Sequence, residues 1–497
     1  MKILYFDIDT LRPDHLGCYG YSRNTSPNID KIANQGVMFE NYYCSDAPCL
    51  PSRTALMNSK FGIHTGVVNH GGLTADMKLE GADRHFTGRL SYESLPGVLR
   101  TKGLKTVTIS PFADRHGSWT FYAGFTEIYD TGKKGMESAE EITPIALKWL
   151  KDNAKSDNWF LHINYWDPHV PFRVPIGFGN PFKEELLNTW ITKDILEKHR
   201  NMVGPNKPRE LSMFDNQIDK EYPGQLGEIR DMGDLKIVID GYDTSIRYVD
   251  YHIGTILNFL NEQRILDDTI IIISADHGEN YGELGIYAEH ATADYPTCRI
   301  PLIVKWLGMK KNHIDSGLHY NIDLLPTIAE LLGFKSYKML GIDEEQYINW
   351  DGTSFAPVLT RGIDCSRKYL VLSHCAHACQ RSVRYSDWLY IRTYHDGYHL
   401  FNREMLFNIK DDPYEQISLE SSRRDILKEA TQKLDNWYDE MMSSNECKID
   451  PLQTVLEEGG PFHSRGQLKK YCEYLKKTDR GFAIEELRRR HPEEFKN

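Results

Sequence analysis

Cys49 stands in the run Cys49-Leu50-Pro51-Ser52-Arg53, which sets a candidate nucleophile beside a hydroxyl and a guanidinium. Asp9 closes a segment containing the apolar run Ile3-Leu4-Tyr5-Phe6. Asp276-His277 follows a second apolar run, Ile270-Ile271-Ile272-Ile273. Carboxylates at two such ends suit a hard divalent cation such as Ca²⁺ or Mg²⁺, and a bound cation can neutralise an anionic oxygen and stabilise an ionised nucleophile. Arg53 adds a planar fork of donors. An unmodified thiol at 49 needs local activation. Taken singly, Asp9 reads as a turn residue, Asp276 as a cap and Cys49 as a small buried side chain. Their co-occurrence points to chemistry.

The elements that position these groups follow from hydrophobic patterning. Residues 3–9 and 269–274 read as buried parallel strands, and open α/β sheets collect ligands at the carboxyl ends of their strands. Further strands are expected at 37–43, 104–109, 159–165 and 301–306. Helices are expected after the cap at Thr25-Ser26-Pro27, from near Ser52, over 242–262 and over 322–333. Strands alternating with helices predict an α/β fold: a mostly parallel central sheet with helices on both faces. Residues 174–235 turn polar, with several prolines and glycines, and read as an insertion or lid and not as a core layer. The 450–497 tail is charged and helical in pattern. It is expected to wrap the body or to form an oligomer contact.

Composition narrows the class. The chain has 497 residues, 40% hydrophobic and 26% charged, so it is expected to be globular. Its net charge of -12 argues against a nucleic-acid partner. No apolar run approaches the ~18–20 residues that span a bilayer. The first apolar stretch meets Asp7 and Asp9 at once, as a core strand does and a secretory signal does not; the expectation is a cytoplasmic protein. Nine cysteines, odd in number and widely spaced, read as reduced thiols.

In this order, Cys49-x-Pro51-Ser52-Arg53, Asp9 and Asp276-His277-Gly278 resemble the type I sulfatases of the alkaline-phosphatase superfamily. The resemblance implies an alkaline-phosphatase-like catalytic domain over 1–364. It also implies a smaller C-terminal α+β subdomain with a short antiparallel sheet over 365–497, to which the strand-like segments 368–373 and 387–394 belong. It implies that a maturation enzyme oxidises Cys49 to formylglycine, whose hydrate attacks sulfur; the second hydroxyl then loses its proton and the carbonyl re-forms as sulfate leaves. The implied metal ligands are Asp9, Thr10, the matured Cys49, Asp276 and His277, around Ca²⁺ first, with Mg²⁺ or Mn²⁺ as alternatives. Thr10 stands where the family usually has a second acid. Asp7, on the same strand face as Asp9, reads as a satisfied buried carboxylate that can partly substitute.

The same resemblance assigns the remaining candidates. Arg53 supports the nucleophile. His169, in Asp167-Pro168-His169-Val170-Pro171, matches a Pro-His-x-Pro element whose histidine contacts sulfate or protonates the leaving alcohol. Counting back from Pro301 in Arg299-Ile300-Pro301-Leu302 places His290 at the usual sulfate-binding lysine, with Glu289 able to raise its pKa. Arg115 and His116 stand near an absent Gly-Lys-Trp-His element and are expected to supply substrate contacts. His374 and His377 are expected to reach the pocket from the C-terminal subdomain. The spacing His374-Cys375-x-His377-x-Cys379 does not match a common zinc pattern. His395 and His399 read as similar contacts or as surface residues. Leu56-Met57-Asn58-Ser59-Lys60 departs from the family's Leu-Thr-Gly-Arg, which bears on the maturation route.

The Asp-His pair and Leu11-Arg12-Pro13-x-x-x-Gly17-Cys18-Tyr19-Gly20 resemble iduronate-2-sulfatase-like members. The expected activity is therefore hydrolysis of a sulfate ester on a small, glycosaminoglycan-derived saccharide, with no membrane partner. O- and N-sulfate, and the oligomeric state, stay open. The rivals are a phosphonate monoester hydrolase or phosphodiesterase of the same superfamily, and an inactive binder of sulfated glycans.

Overall fold

The computed structural model describes residues 1–497 except 78–89, 188, 219, 223–224, 335–349, 446–447 and 497. Its central sheet has eight strands: β1 (Lys2–Ile8), β2 (Val37–Tyr43), β3 (Lys105–Ile109), β4 (Glu127–Tyr129), β5 (Trp159–Tyr165), β6 (Thr269–Ser274), β7 (Arg299–Lys305) and β8 (His313–Tyr320). Their order is β8-β2-β7-β6-β1-β5-β3-β4. β7 runs antiparallel to both neighbours, and the other described pairs are parallel. The three middle strands are buried almost end to end, as continuous apolar runs covered on both faces require.

Register does the positioning. Asp7 on β1 sits opposite Asn164 on β5 and Ser274 on β6. The segments after these strands, carrying Asp9, His169 and Asp276-His277, therefore leave the sheet side by side at its carboxyl edge. The mostly parallel α/β sheet is the expected one.

The helix bearing the candidate nucleophile starts earlier than expected. After α1 (Pro27–Ala33), α2 spans Cys49–Asn58, not a segment from Ser52. Pro51 lies in its first turn, where the missing N–H removes a donor that has no intrahelical acceptor. Every residue from Cys49 to Met57 is buried. The long helix α3 (Met232–Glu262) also starts early, at Met232 and not 242, because Asp231 caps it by accepting from Gly233 N and Asp234 N at 2.8 and 3.0 Å. α3 thus takes the end of the expected 174–235 insertion. The rest of that segment is more than a cover: Ile191, Leu196, Leu211 and Ile229 join the main core.

A second sheet of five strands has the order Glu404–Asn408, Trp388–His395, Cys379–Tyr385, Leu370–His374, Asp46–Ala47. The first four are antiparallel. Asp46–Ala47, just before Cys49, pairs in parallel with Ser373 and His374. The smaller sheet is thus stitched to the entry of α2.

The tail wraps the body. Arg381 forks onto Asp450, with both bonds at 2.7 Å, and Arg480 forks onto buried Glu210, with both at 2.8 Å. Every described cysteine is free; Cys447 lies outside the described residues. Among the described residues no helix is long and apolar enough to cross a membrane.

Candidate active site

Arg53 is the hub. Its Nε and Nη2 donate to the two oxygens of Asp7, at 2.8 and 3.2 Å. Its Nη1 donates to Asp9 Oδ2 at 2.9 Å and to Asp276 Oδ2 at 2.6 Å. All four side chains are fully buried, and the guanidinium is flanked by the rings of Phe112 and Trp166. One helix residue therefore ties together the ends of β1 and β6. Burial raises the Asp7 carboxyl, but Arg53 and His162 outweigh that and hold it at about 2. Burial, opposed by Arg53 and reinforced by Asp9, pushes Asp276 up to about 6. Asp7, bonded by Arg53 and by His162 at 3.3 Å, is a satisfied carboxylate and not a free ligand.

Cys49 faces His277, with Sγ 3.0 Å from Nε2. The Gly278 carbonyl accepts from His277 Nδ1 at 2.8 Å, which fixes the tautomer and leaves the Nε2 lone pair facing Sγ. Burial, with Asp9 and Asp276 nearby, pushes the Cys49 thiol well above its ordinary pKa. Ser52 Oγ donates to the main-chain oxygen of Asp276 at 2.6 Å, and Asn321 Nδ2 braces Ser52 at 3.2 Å. Thr10 takes the left-handed conformation, φ 55°, and its N–H donates to Asp276 Oδ1 at 3.2 Å. Tyr242 holds that turn, donating to Thr10 O at 2.6 Å and accepting from Arg12 N at 2.9 Å.

The residues present fit a divalent cation. Ligand atoms of Asp9, Cys49, Asp276 and His277 lie within 4.8 Å of one another. Asp9 Oδ1 and Thr10 Oγ1 are buried with no hydrogen-bond partner. Three buried carboxylates share one arginine, so negative charge is left uncompensated.

Around this centre lies a histidine-rich wall. The rings of His290 and His277 are 4.1 Å apart, and that of His169 is 5.4 Å from His290. His169 Nδ1 bonds the Val170 carbonyl, and Arg173 Nη1 fastens the loop through Trp166 O at 2.9 Å and His169 O at 3.1 Å. Burial lowers His169 to about 3 and His290 well below its ordinary value. His377 lies 5.7 Å from His290. Arg115 packs over Trp166 at 4.9 Å and donates to Lys134 O; His116 contacts His70 and Trp166.

His374 is placed differently from expectation. Its ring nitrogens meet the main-chain oxygens of Ala378 and His290, at 3.1 and 2.8 Å. It holds the His290 loop and has no nitrogen left for substrate. Cys375 and Cys379 turn away into an apolar cluster with Val68, Leu452 and Val455, so the His374–Cys379 segment does not assemble as a zinc site.

His70 and His463 join this wall with no motif in the sequence to mark them. His463 stacks on His377 at 4.3 Å, and its Nε2 lies 2.9 Å from His70 Nδ1. No local signal marks them, because the path of the tail brings them together. Glu279 also goes unmarked, although it stands directly after Asp276-His277-Gly278.

Comparison with known proteins agrees with this geometry. The family model described as Sulfatase matches residues 2–334. The chain is 26% identical over 397 residues to iduronate 2-sulfatase of Mus musculus, covering 67% of this chain and 69% of that protein. It is 23% identical over 529 residues to N-acetylglucosamine-6-O-sulfatase of Bacteroides thetaiotaomicron, covering 92% and 89%. A protein solved in complex with its substrate D-glucosamine-2-N,6-O-disulfate superposes with a TM-score of 0.68 at 18% identity, over 89% of this chain and 98% of that one. The phosphonate monoester hydrolase from Silicibacter pomeroyi superposes with a TM-score of 0.65 at 18% identity, over 89% and 96%. At these identities the two solved structures speak for the fold.

Proposed function

The chain belongs to the sulfatase family, and on that premise we propose that it hydrolyses a sulfate ester on a small, glycosaminoglycan-derived saccharide, with Cys49 matured to formylglycine. The observation that carries this reading is the convergence of Asp9, Cys49, Asp276 and His277 within 4.8 Å, with one oxygen of Asp9 left unpartnered. The sugar follows from the relatives named for sulfated saccharides, including the one that covers 92% of the chain.

Asp9, Thr10, Asp276 and His277, with the matured residue 49, would hold a divalent cation, Ca²⁺ first given the oxygen-rich set; bound there, it supplies Lewis-acid pull on a sulfate oxygen. Oxidised and hydrated, residue 49 supplies the oxygen nucleophile, and Cys49 Sγ marks the place of that oxygen. The chain's own residues do the rest. Arg53 keeps Asp7 and Asp9 ionised and fixes them against Asp276. His169, with its Nδ1–H spent on the Val170 carbonyl, presents Nε2 to the leaving alcohol and gives it a proton only from the imidazolium form, which the negative charge of a bound sulfate ester favours. His290 contacts the sulfate, and Arg115, His116 and His377 contact the remainder of the substrate. His374 positions His290.

The test is turnover by protein made in its native host. Release of inorganic sulfate from sulfated monosaccharides, with little hydrolysis of phosphonate monoesters, supports the reading. Preferential cleavage of phosphonate monoesters favours the second reading, which rests on the fold shared with a phosphonate monoester hydrolase and on Thr10 in place of a second acid.

A further inference from the structure

Beside the Arg53 cluster lies a second group of ligand-type side chains that shares His290 and His377 with the account above and adds Glu279 and Glu289, which have no role there. His290 Nδ1 faces Glu289 Oε1 at 3.3 Å and Glu279 Oε1 at 3.4 Å, and His377 Nε2 lies 3.7 Å from the same Glu289 oxygen. Ligand atoms of Glu289, His290 and His377 all lie within 4.8 Å of one another. Glu279 is fully buried, and His290 is 3% exposed. His290 Nδ1 and both carboxylate oxygens of Glu279 make no hydrogen bond.

Glu289 Oε1 also accepts from the His290 N–H at 3.0 Å, which leaves its second lone pair for a cation, and the spacings to the imidazoles suit one. A hydrogen-bonded His–carboxylate pair closes to about 2.7–3.2 Å with good alignment, and these contacts are longer and unaligned. Ligand atoms about 2.0–2.1 Å from a tetrahedral zinc lie about 3.3–3.4 Å apart, the edge of that tetrahedron. The His290–Glu289 spacing of 3.3 Å equals that edge, and His377–Glu289 at 3.7 Å comes within a small side-chain adjustment of it. Two imidazoles and a carboxylate are borderline donors that suit Zn²⁺, whereas the carboxylate-rich set around Asp9 suits Ca²⁺. Glu279 adds a second buried carboxyl group beside His290.

We propose that Glu289, His290 and His377 form a second metal site, selective for Zn²⁺, in the histidine-rich wall beside the Arg53 cluster. His290 gives Nδ1 to this ion while its ring packs on His277. Glu279 supplies the balancing charge, and a water completes the fourth position. The site clamps the β6–β7 segment carrying Glu289 and His290 to the smaller-sheet segment carrying His377. It does not depend on the sulfatase reading.

The experiment is a Zn²⁺ titration followed by calorimetry, with bound metal counted by mass spectrometry. It uses the full chain, freed of metal by chelator, and the variants Asp276→Asn, Glu289→Gln and His377→Ala, each checked for an intact fold by circular dichroism. The proposal expects tight Zn²⁺ uptake that survives Asp276→Asn and weakens at least about tenfold in both Glu289→Gln and His377→Ala. Glu289→Gln is nearly isosteric and keeps the measurement meaningful if His377→Ala unfolds. Uptake lost in Asp276→Asn but unchanged in Glu289→Gln overturns the proposal and leaves the Asp9 site standing. Absence of Zn²⁺ uptake by the unmodified chain overturns it too. Sulfate release and Ca²⁺ dependence, measured separately, report on the sulfatase reading.

Discussion

Arg53 Nη1 lies 2.6 Å from Asp276 Oδ2, both side chains are fully buried, and the same nitrogen reaches Asp9 Oδ2 at 2.9 Å. The fork locks α2 to the segments that follow β1 and β6. Replacing Arg53 by Met leaves three buried carboxylates uncompensated, so urea unfolding should show a loss of about 3–5 kcal/mol. Arg53→Lys restores the charge but not the fork and should recover only part of that. An unchanged unfolding midpoint in Arg53→Met would refute the hub role.

Removal of divalent metal should abolish turnover, and Ca²⁺ should restore it. Asp9→Asn weakens the carboxylate that carries the unpartnered Oδ1. It should lower kcat/KM by at least about 100-fold, because metal stabilisation of transition-state charge is worth several kcal/mol. Full activity in chelator would contradict this assignment.

His169, as the imidazolium formed in the substrate complex, is assigned the proton for the leaving alcohol. In His169→Gln, kcat for an alkyl sulfate should fall by about 10²–10⁴-fold. An aryl sulfate with an acidic phenol needs no proton and should lose far less. Equal losses for both would make His169 a binding residue instead.

Asp167 gives a pH test away from the cation ligands. Burial, only partly offset by the Ala139 N–H at 3.0 Å, pushes its carboxyl up to about 7. A group raised on folding stabilises fully below its unfolded value of about 3.9 and loses that contribution as pH rises towards the folded value. Asp167→Asn keeps an acceptor for Ala139 N–H and removes this dependence. Its melting temperature relative to the parent should therefore climb between pH about 4 and about 7, then level off, by a few degrees in all. A constant difference across that range would contradict the raised value.

Much of this site was legible in the residues themselves, for reasons that differ by element. β1, β5 and β6 announce themselves as apolar runs buried on both faces, and the groups that follow such strands must share an edge. The start of α2 was misread because Pro51 looks like a turn residue, although proline is tolerated in a first helical turn. The start of α3 was missed because a lone capping Asp231 precedes a glycine, a weak local signal. His374 has the right type and neighbourhood for substrate contact, but main-chain carbonyls consume both its nitrogens. His70 meets His463 from the far end of the chain, a juxtaposition set by how the tail docks through Arg381–Asp450 and Arg480–Glu210.

The most direct test of the central claim is the state of residue 49 in protein from its native host. Mass spectrometry of the peptide containing it should show a loss of about 18 Da relative to the cysteine form, as CH₂SH becomes CHO, together with capture by an aminooxy reagent and no alkylation by iodoacetamide. A peptide that keeps its thiol mass, alkylates at Cys49 and comes from protein with full sulfatase turnover would contradict the formylglycine nucleophile outright.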